Sequence, residues 1–253
     1  MAKGRVAAKE LKRDPLMDQY LTTRSWVQSR SRPLVIGLTV TAVVAAAILI
    51  FWMIISSRNR AAAESLADAF KVAEATVANP IPPNVTGYAF ASEDEKNRKA
   101  YEAFEKVARD YPSYYGDLAR YCAATHQLKF EPPKAEATLK DLAQRDSPVA
   151  GQARLALAQR YAASGRLDEA ITMLHQLKSK PGDVAPLLID LKMAEVYEAQ
   201  GKIKEAIEVY FNIAKTSRSA GVGTIASTRL AALDPARLDQ LPPPEPTSPF
   251  AGR

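Results

Sequence analysis

A candidate cofactor-binding pattern occurs at Gly221–Ala226, where the sequence GVGTIA has the form of a dinucleotide fingerprint. In that fingerprint, glycines let the backbone approach a pyrophosphate, and the chemistry requires a β-strand before the glycines. The preceding segment, Glu205–Lys215, has the apolar periodicity of a helix instead. We therefore interpret the glycines as a turn ahead of a helix and expect no cofactor.

Few other residues could perform catalysis or bind a metal, because the chain has only two histidines and one cysteine. His126 occupies a helix position that later segments fill with tyrosine, so we expect it to pack, and we expect His175 to face solvent. Cys122 aligns with Leu157 and Met193 and is predicted to be a buried small hydrophobic residue. The sequence contains no Ser/His/Asp set, paired carboxylate motif or phosphate loop. It predicts a protein that is not an enzyme and binds no metal or small-molecule substrate.

The basic charge of the chain is concentrated at its N-terminus. Residues 1–33 contain eight Lys or Arg residues against three acidic ones, a net charge of +5 out of +6 for the whole chain. A nucleic-acid-binding protein is expected to cluster cationic side chains on its folded domain. The remainder of the chain is nearly neutral, so we expect no nucleic-acid partner and regard residues 1–33 as a basic tail.

An apolar segment follows the basic tail at residues 34–55. Its 22 residues carry no charge, and as a helix they extend over roughly 33 Å, enough to cross a hydrocarbon core of about 30 Å. Only a helix satisfies its own backbone hydrogen bonds in lipid, and we predict a transmembrane helix here. A cleaved signal peptide is the alternative, with Ala61–Ala63 as a small-residue cleavage site.

The distribution of basic residues favours one orientation of this helix. The whole N-terminal segment carries an excess of Lys and Arg, which favours a cytoplasmic N-terminus. Within about 20 residues of each end of the span, however, the basic counts are equal. We predict a cytoplasmic N-terminus and a C-terminal domain outside the cytoplasm.

The rest of the chain repeats with a period of about 35 residues. An i, i+4, i+7 spacing of a small residue and two larger ones is typical of one helix face, and it occurs four times. Gly165 and Gly201 stand where a preceding helix is expected to end in a left-handed turn. The recurring positions are Ala100, Ala135, Ala170 and Ala206; Phe104, Leu139, Leu174 and Tyr210; and Val107, Leu142, Leu177 and Ile213.

The pattern therefore predicts that each unit consists of a helix, a tight turn and a second helix. The two units with the clearest pattern resemble tetratricopeptide repeats. They begin at Leu157-Ala158 and Met193-Ala194, and each has a tyrosine, a turn glycine and a small residue at matching intervals. The resemblance implies an all-α solenoid over residues 57–233. Phe130 replaces the usual turn glycine of an earlier unit, where Pro132-Pro133 are expected to break the turn.

The ends of the solenoid depart from the regular repeat. The first unit looks split, with helices at Arg60–Ala78 and Lys96–Arg109 separated by a Pro-rich loop at 79–92. The expected buried face of the first helix consists of Leu66, Phe70, Ala73 and Val77. We expect Gly223–Leu233 to be a single unpaired capping helix. Residues 234–253 are rich in proline and predict an extended tail.

The order of these segments also resembles the YfgM-type ancillary subunits of the SecYEG translocon. That resemblance implies a bacterial inner-membrane protein with a cytoplasmic N-terminus and a periplasmic domain. Its implied partners are translocon subunits, periplasmic chaperones or unfolded polypeptide. The basic leader and the Pro-rich tail differ from the family, and an envelope-organising or cell-division adaptor that uses the tail is the alternative.

A candidate partner-binding groove lies on the first helices of the stacked units, on the face turned away from the second helices. Its mixed apolar and acidic character suits extended polypeptide or a partner helix. The basic clamp found in some tetratricopeptide proteins is missing, and the leucines have a second interpretation as packing residues between units. The predicted residues are Asp117, Arg120, Ala124, Gln127, Gln152, Leu155, Gln159, Ala162, Leu188, Leu191, Glu195 and Glu198.

Overall fold

The structure, a computed structural model, describes residues 31–82, 84–113, 115–218 and 221–241, with side chains from residue 36 onward. The basic tail up to residue 30 and the end of the C-terminal tail, 242–253, lie outside the described residues. The described chain forms helices and one two-stranded sheet: α1 (Ser31–Ala73), β1 (Thr76–Val77), β2 (Ala89–Phe90), α2 (Glu93–Asp110), α3 (Gly116–Gln127), α4 (Pro132–Gln144), α5 (Ala150–Ala163), α6 (Leu167–Ser179), α7 (Pro186–Ala199), α8 (Ile203–Thr216), α9 (Val222–Leu233) and α10 (Pro235–Leu238).

The apolar segment forms the first part of helix α1. The chain divides into two compact units, 1–60 and 61–253, and the apolar part of α1 belongs to the first. Its most apolar window has a mean hydropathy of 2.7, and the helix is long and apolar enough to cross a membrane. The hydroxyl of Thr41 donates to the Gly37 carbonyl oxygen at 2.9 Å, so its polar group is satisfied within the helix.

The last part of α1 supplies the first helix of the solenoid, with different bounds from those predicted. The expected helix Arg60–Ala78 ends at Ala73, because Thr76–Val77 forms a strand that pairs in parallel with Ala89–Phe90. The strand β2 therefore lies inside the segment predicted to be a Pro-rich loop. The buried face also differs from the prediction: Ala62, Leu66 and Ala69 are buried, whereas Phe70 is 39% exposed.

Successive helices pack against each other from α2 to α9. This order of contacts is that of an all-α solenoid and confirms the predicted fold class. The alanine of each period is fully buried, which lets the helices approach closely, and the larger residues that follow it fill the adjoining space. Each buried large side chain contributes about 1.5–3 kcal/mol relative to an exposed one. The four fully buried alanines are Ala100, Ala135, Ala170 and Ala206.

The turns between helices agree with the prediction in the third and fourth units and differ from it in the second. Gly165 and Gly201 have φ of 76° and 74°, the left-handed conformation predicted for both. Pro132-Pro133 does not break the second unit but opens α4, because a proline at the start of a helix has no hydrogen bond to lose.

The C-terminal end of the solenoid contains more structure than the predicted capping helix. Helix α9 closes the stack as expected, but the short helix α10 follows it where an extended tail was predicted. Leu241 is only 6% exposed and packs in the same core cluster as Tyr210 and Leu230. The solenoid therefore extends to Leu241, because an apolar side chain there covers the last helix pair.

An ion-pair network joins the second and third units. Glu136 of α4 accepts from Arg160 of α5 at 3.0 Å and from Arg166, just before α6, at 2.6 Å. Burial raises the pKa of the Glu136 carboxyl, but the hydrogen bonds and charges of the two arginines outweigh it and hold that pKa below its usual value. The ionised carboxylate is therefore the form that stabilises the folded chain.

Replacing this carboxylate tests its contribution. We expect Glu136→Gln to lower the Tm of the full chain in mild detergent by about 2–4 °C at pH 7, measured by circular dichroism. Because the folded pKa is lowered, the difference from wild type should be lost as the pH falls from about 4.3 through the folded pKa. Glu169→Gln is the control, since Glu169 lies 3.9 Å from Arg166 but is exposed. Equal effects of both variants contradict the prediction.

Candidate functional site

The glycines of the candidate cofactor pattern serve packing. Helix α8 precedes them, so the strand that the fingerprint requires is replaced by a helix. Gly221 has φ of 54°, a left-handed conformation that favours glycine at this turn. A Cβ added at Gly223 would overlap the carbonyl oxygen of Ser217, so glycine is needed for the close approach of α9 to the end of α8.

The histidines and the cysteine are placed close to their predicted roles. His126 Nδ1 lies 2.9 Å from Asn97 Oδ1, and its ring stacks on Phe104 with centroids 5.8 Å apart. Burial, followed by the charges of Lys96 and Lys129, lowers the pKa of His126. His175 is exposed, as predicted.

Cys122 differs from its prediction in degree. It is only partly buried, whereas the residues it aligns with, Leu157 and Met193, are buried. Burial nevertheless raises the pKa of its thiol to about 11, which keeps the thiol protonated and weakly reactive near neutral pH. Among the residues that the structure describes, no group of three or more His, Cys, Asp or Glu could hold a metal ion.

Two neighbouring clefts form a groove along the first helices α5, α7 and α9. A cleft of about 240 Å³ lies against α5, α6 and α7, and one of about 450 Å³ lies against α7, α8 and α9. Both are lined by Glu195 and Ala199 of α7, so they adjoin each other. We define the α5–α7–α9 groove as the residues that line the two clefts: Ala158, Gln159, Ala162, Leu167, Leu174, Lys192, Glu195, Val196, Glu198, Ala199, Tyr210, Ile225 and Arg229.

The first cleft of the groove has an apolar floor and a paired charge. Lys192 Nζ donates to Glu195 Oε2 at 2.8 Å, while Leu174 and Val196 contribute buried apolar surface. Gln159 is exposed at its edge. Such a surface suits apolar side chains with uncharged polar neighbours, because its own charges already have partners.

The second cleft contains a three-residue polar network. Glu198 of α7 forms an ion pair with Arg229 of α9, and Glu198 Oε2 also accepts from Tyr210 Oη of α8 at 3.1 Å. Burial and the neighbouring Glu198 carboxylate raise the pKa of Tyr210, which keeps its phenol protonated as a donor. Ile225 lies in the same cleft and is 49% exposed. The network joins α7, α8 and α9 beside an accessible apolar side chain.

The structure divides the predicted groove residues among several environments. Four of them, Gln159, Ala162, Glu195 and Glu198, line the α5–α7–α9 groove. Asp117 and Gln152 line a different cleft, at the start of α3 and α5.

The remaining predicted residues contribute to packing or lie elsewhere on the first helices. Leu155 and Leu188 pack against the core cluster around Leu157. Leu191 is 2% exposed in the cluster that contains Tyr210. These positions correspond to the packing interpretation of the leucines. Gln127 is buried and donates to Glu131 Oε2 at 3.1 Å, while Ala124 is buried in the core. Arg120 is half-buried on α3.

The groove residues missed from the sequence include Lys192, Ile225 and Arg229. The last two belong to α9, which was given only a capping role. A usable signal was present, because Ile225 and Arg229 are one helical turn apart and Ile225 is not needed on the buried face formed by Ala226 and Leu230.

The profile of the tetratricopeptide repeat-like domain family matches residues 34–235, most of the chain. The chain therefore belongs to this family, and the match begins at the apolar segment. Domains of this kind are typically non-enzymatic protein-interaction scaffolds and bind protein partners. No curated protein matches the chain.

Two solved structures of kinesin-light-chain TPR-like repeats from Podosopora anserina are similar to part of the chain. They have 17% and 19% sequence identity, with TM-scores of 0.47 and 0.46. Each similarity covers 58% of this chain and 82% of the other.

Removing the charge of Glu198 tests the polar network of the second cleft. We expect Glu198→Gln to speed amide hydrogen exchange in α9 roughly two- to fivefold, because an ion pair that holds α9 to α7 is lost. Exchange in α5 should be unchanged. Glu195→Gln is the matched control on the same helix, since Glu195 pairs with Lys192 of α7 itself. An equal change in α9 for both variants contradicts the prediction.

Proposed function

We propose that this protein is a membrane-anchored scaffold that assists protein secretion, as an ancillary subunit of the translocon and of the periplasmic chaperone network. The observation that carries the proposal is the joining of one apolar helix to a solenoid whose first helices bear an open groove. In this proposal the solenoid provides the binding surface, and the apolar helix keeps that surface at the membrane. The apolar floor and the paired charges of the groove support non-covalent binding of a partner.

The anchor is residues 34–55, which we propose to cross the bacterial inner membrane. The described side chains of this segment are exposed, and all its large apolar residues from Ile36 to Ile55 face outward, as a lipid contact requires. Confining scaffold and partner to one membrane raises their effective concentration without new contacts. Modest affinity in the groove is then sufficient for function.

We place the N-terminus in the cytoplasm and the solenoid in the periplasm. The eight Lys and Arg residues of 1–33 support this orientation through the positive-inside rule. Under this topology the groove faces the compartment into which secreted chains emerge.

The proposed occupant of the α5–α7–α9 groove is a partly unfolded polypeptide or a partner helix. Ile225 offers an exposed apolar contact, and the pairs Lys192–Glu195 and Glu198–Arg229 offer polar contacts at the sides. Because these charges are already paired, an occupant with a strong net charge gains little from them. Apolar side chains presented by an extended chain or by one helix face fit this surface best.

A second candidate function is that of an envelope-organising or cell-division adaptor that uses the Pro-rich tail. The specific observation is that the start of the tail is attached to the solenoid. Leu241 is buried, and its carbonyl oxygen accepts from Arg218 Nη1 at 3.2 Å. The following residues, 242–253, contain five prolines and present a sequence typical of polyproline recognition.

Photo-crosslinking from the groove tests the proposed function. We expect a benzophenone amino acid at Gln159 or Ile225 of the full chain, in membranes of its natural host, to capture a translocon subunit or a periplasmic chaperone identified by mass spectrometry. The same probe at His175 or Gln176, exposed positions of α6, is the control. Capture of the same partner with equal yield from α6 contradicts a role of the groove.

Removing residues 242–253 in the same experiment separates the two candidate functions. A groove partner should be captured in undiminished yield, because none of the described lining residues of the groove is removed. Loss of capture on truncation favours the adaptor function instead.

Thiol labelling tests the proposed topology. In a Cys122→Ala background, we expect Ala231→Cys, exposed on α9, to react with a membrane-impermeant maleimide in spheroplasts, and Ala8→Cys to react only after lysis. The reverse pattern overturns the orientation. A labelled Ala231→Cys product shortened by about 60 residues supports the cleaved-leader alternative, because processing near Ala61–Ala63 removes the anchor.

A further inference from the structure

A third cleft on the solenoid, separate from the two that form the groove, has a different chemistry. It has a volume of about 590 Å³ and lies where α3 and α5 begin, next to the turn that precedes α7. Leu118 and Val149 give it an apolar wall, and the phenol ring of Tyr121 lines it as well. We call it the acidic cleft, because three aspartates line it.

Three carboxylates line the acidic cleft: Asp117, Asp146 and Asp183. No Lys, Arg or His is among its described lining residues. Asp117 has a partner outside the cleft, Arg145 Nη1, at 2.9 Å. Asp146 and Asp183 are exposed, and within the described ranges of the chain their side chains make no ion pair or hydrogen bond. Two negative charges are therefore left without a local partner on one cleft.

The cleft also contains two buried polar atoms without partners. The side-chain atoms Ser147 Oγ and Gln152 Oε1 are buried, and neither has a hydrogen-bond partner among the residues that the structure describes. Buried polar groups in proteins are nearly always hydrogen-bonded, so each needs an explanation. Gln152 Oε1 can only accept a hydrogen bond. Because this oxygen has no exposed surface, a ligand with N–H donors satisfies it only when the Gln152 side chain turns into the cleft.

Helix capping does not account for the two unpaired aspartates. They lie in the turns before α5 and α7, where an aspartate often caps the first turn of a helix. Here the cap residues are Val149 and Ala185, and neither helix has a side-chain cap hydrogen bond. Asp146 and Asp183 are therefore free to interact with a ligand.

We infer that the acidic cleft binds a basic segment of a partner polypeptide, an extended stretch that carries arginine or lysine side chains beside apolar ones. The carboxylates of Asp146 and Asp183 pair with the cationic groups. The ring of Tyr121 offers a face to a cation, and the apolar wall covers the aliphatic stem or a neighbouring residue. The oxygen of Gln152, once its side chain turns into the cleft, receives one of the donated hydrogen bonds. This site is separate from the α5–α7–α9 groove and does not rest on the proposed function.

Fluorescence anisotropy tests this inference on the full chain in phosphatidylcholine nanodiscs, whose lipid has no net charge. The probe is a labelled peptide of five Gly-Arg-Leu repeats, and a peptide of five Gly-Gln-Leu repeats is its uncharged counterpart. We expect the arginine peptide to bind more tightly than the glutamine peptide, and its affinity to fall as salt is added. Equal binding of the two peptides, or no binding of either, overturns the inference.

Substitutions in the cleft locate the binding site. We expect the double variant Asp146→Asn, Asp183→Asn to weaken binding of the arginine peptide roughly three- to tenfold. The matched control is Asp94→Asn, Asp239→Asn, which removes two exposed aspartates elsewhere and changes the net charge equally. If the control variant loses the same amount of affinity for the arginine peptide, binding depends on net charge alone, and the inferred site is contradicted.

A third variant tests the volume of the cleft without changing its charge. Ser113 is exposed at the cleft, and Ser113→Trp should fill part of it and weaken binding of the arginine peptide. Unchanged helicity by circular dichroism verifies that the variant is folded. Undiminished binding by the folded Ser113→Trp variant places the peptide outside the cleft and contradicts the inference.

Discussion

The close approach of helices at four fully buried alanines is the constraint on which the solenoid depends. A larger side chain at Ala135 or Ala170 would separate neighbouring helices and leave space around the leucines that follow. Since the same small-then-large pattern recurs about every 35 residues, each helix pair meets the next in nearly the same way. The first helices therefore lie side by side, and the groove between them is a consequence of how the core is packed.

Two surfaces of different chemistry result from this stacking. The α5–α7–α9 groove has an apolar floor and charges that are already paired, such as Glu198 with Arg229. The acidic cleft has two aspartates that no described residue neutralises, Asp146 and Asp183. The first surface suits apolar segments and the second suits basic ones.

The ends of the solenoid are built differently from its middle because a terminal helix has no further neighbour to cover it. At one end, β1 and β2 pair within the segment that joins α1 to α2. At the other, Leu241 and the short helix α10 add to the cover supplied by α9. Helix α9 also contributes Ile225 and Arg229 to the groove, so it serves both the stability of the solenoid and the candidate site.

The sequence alone determined the helical class, the repeat, the turn glycines Gly165 and Gly201, and the apolar segment, because these depend on periodicity and on backbone preferences that act over a few residues. It did not determine the strand pairing of Thr76–Val77, the burial of Leu241, or which first-helix residues are exposed. Leu191 and Glu195 belong to the same predicted face, yet one packs in the core and the other lines the groove. That difference depends on how α7 packs against α8 and α9, and only the tertiary structure sets the angle at which those helices meet.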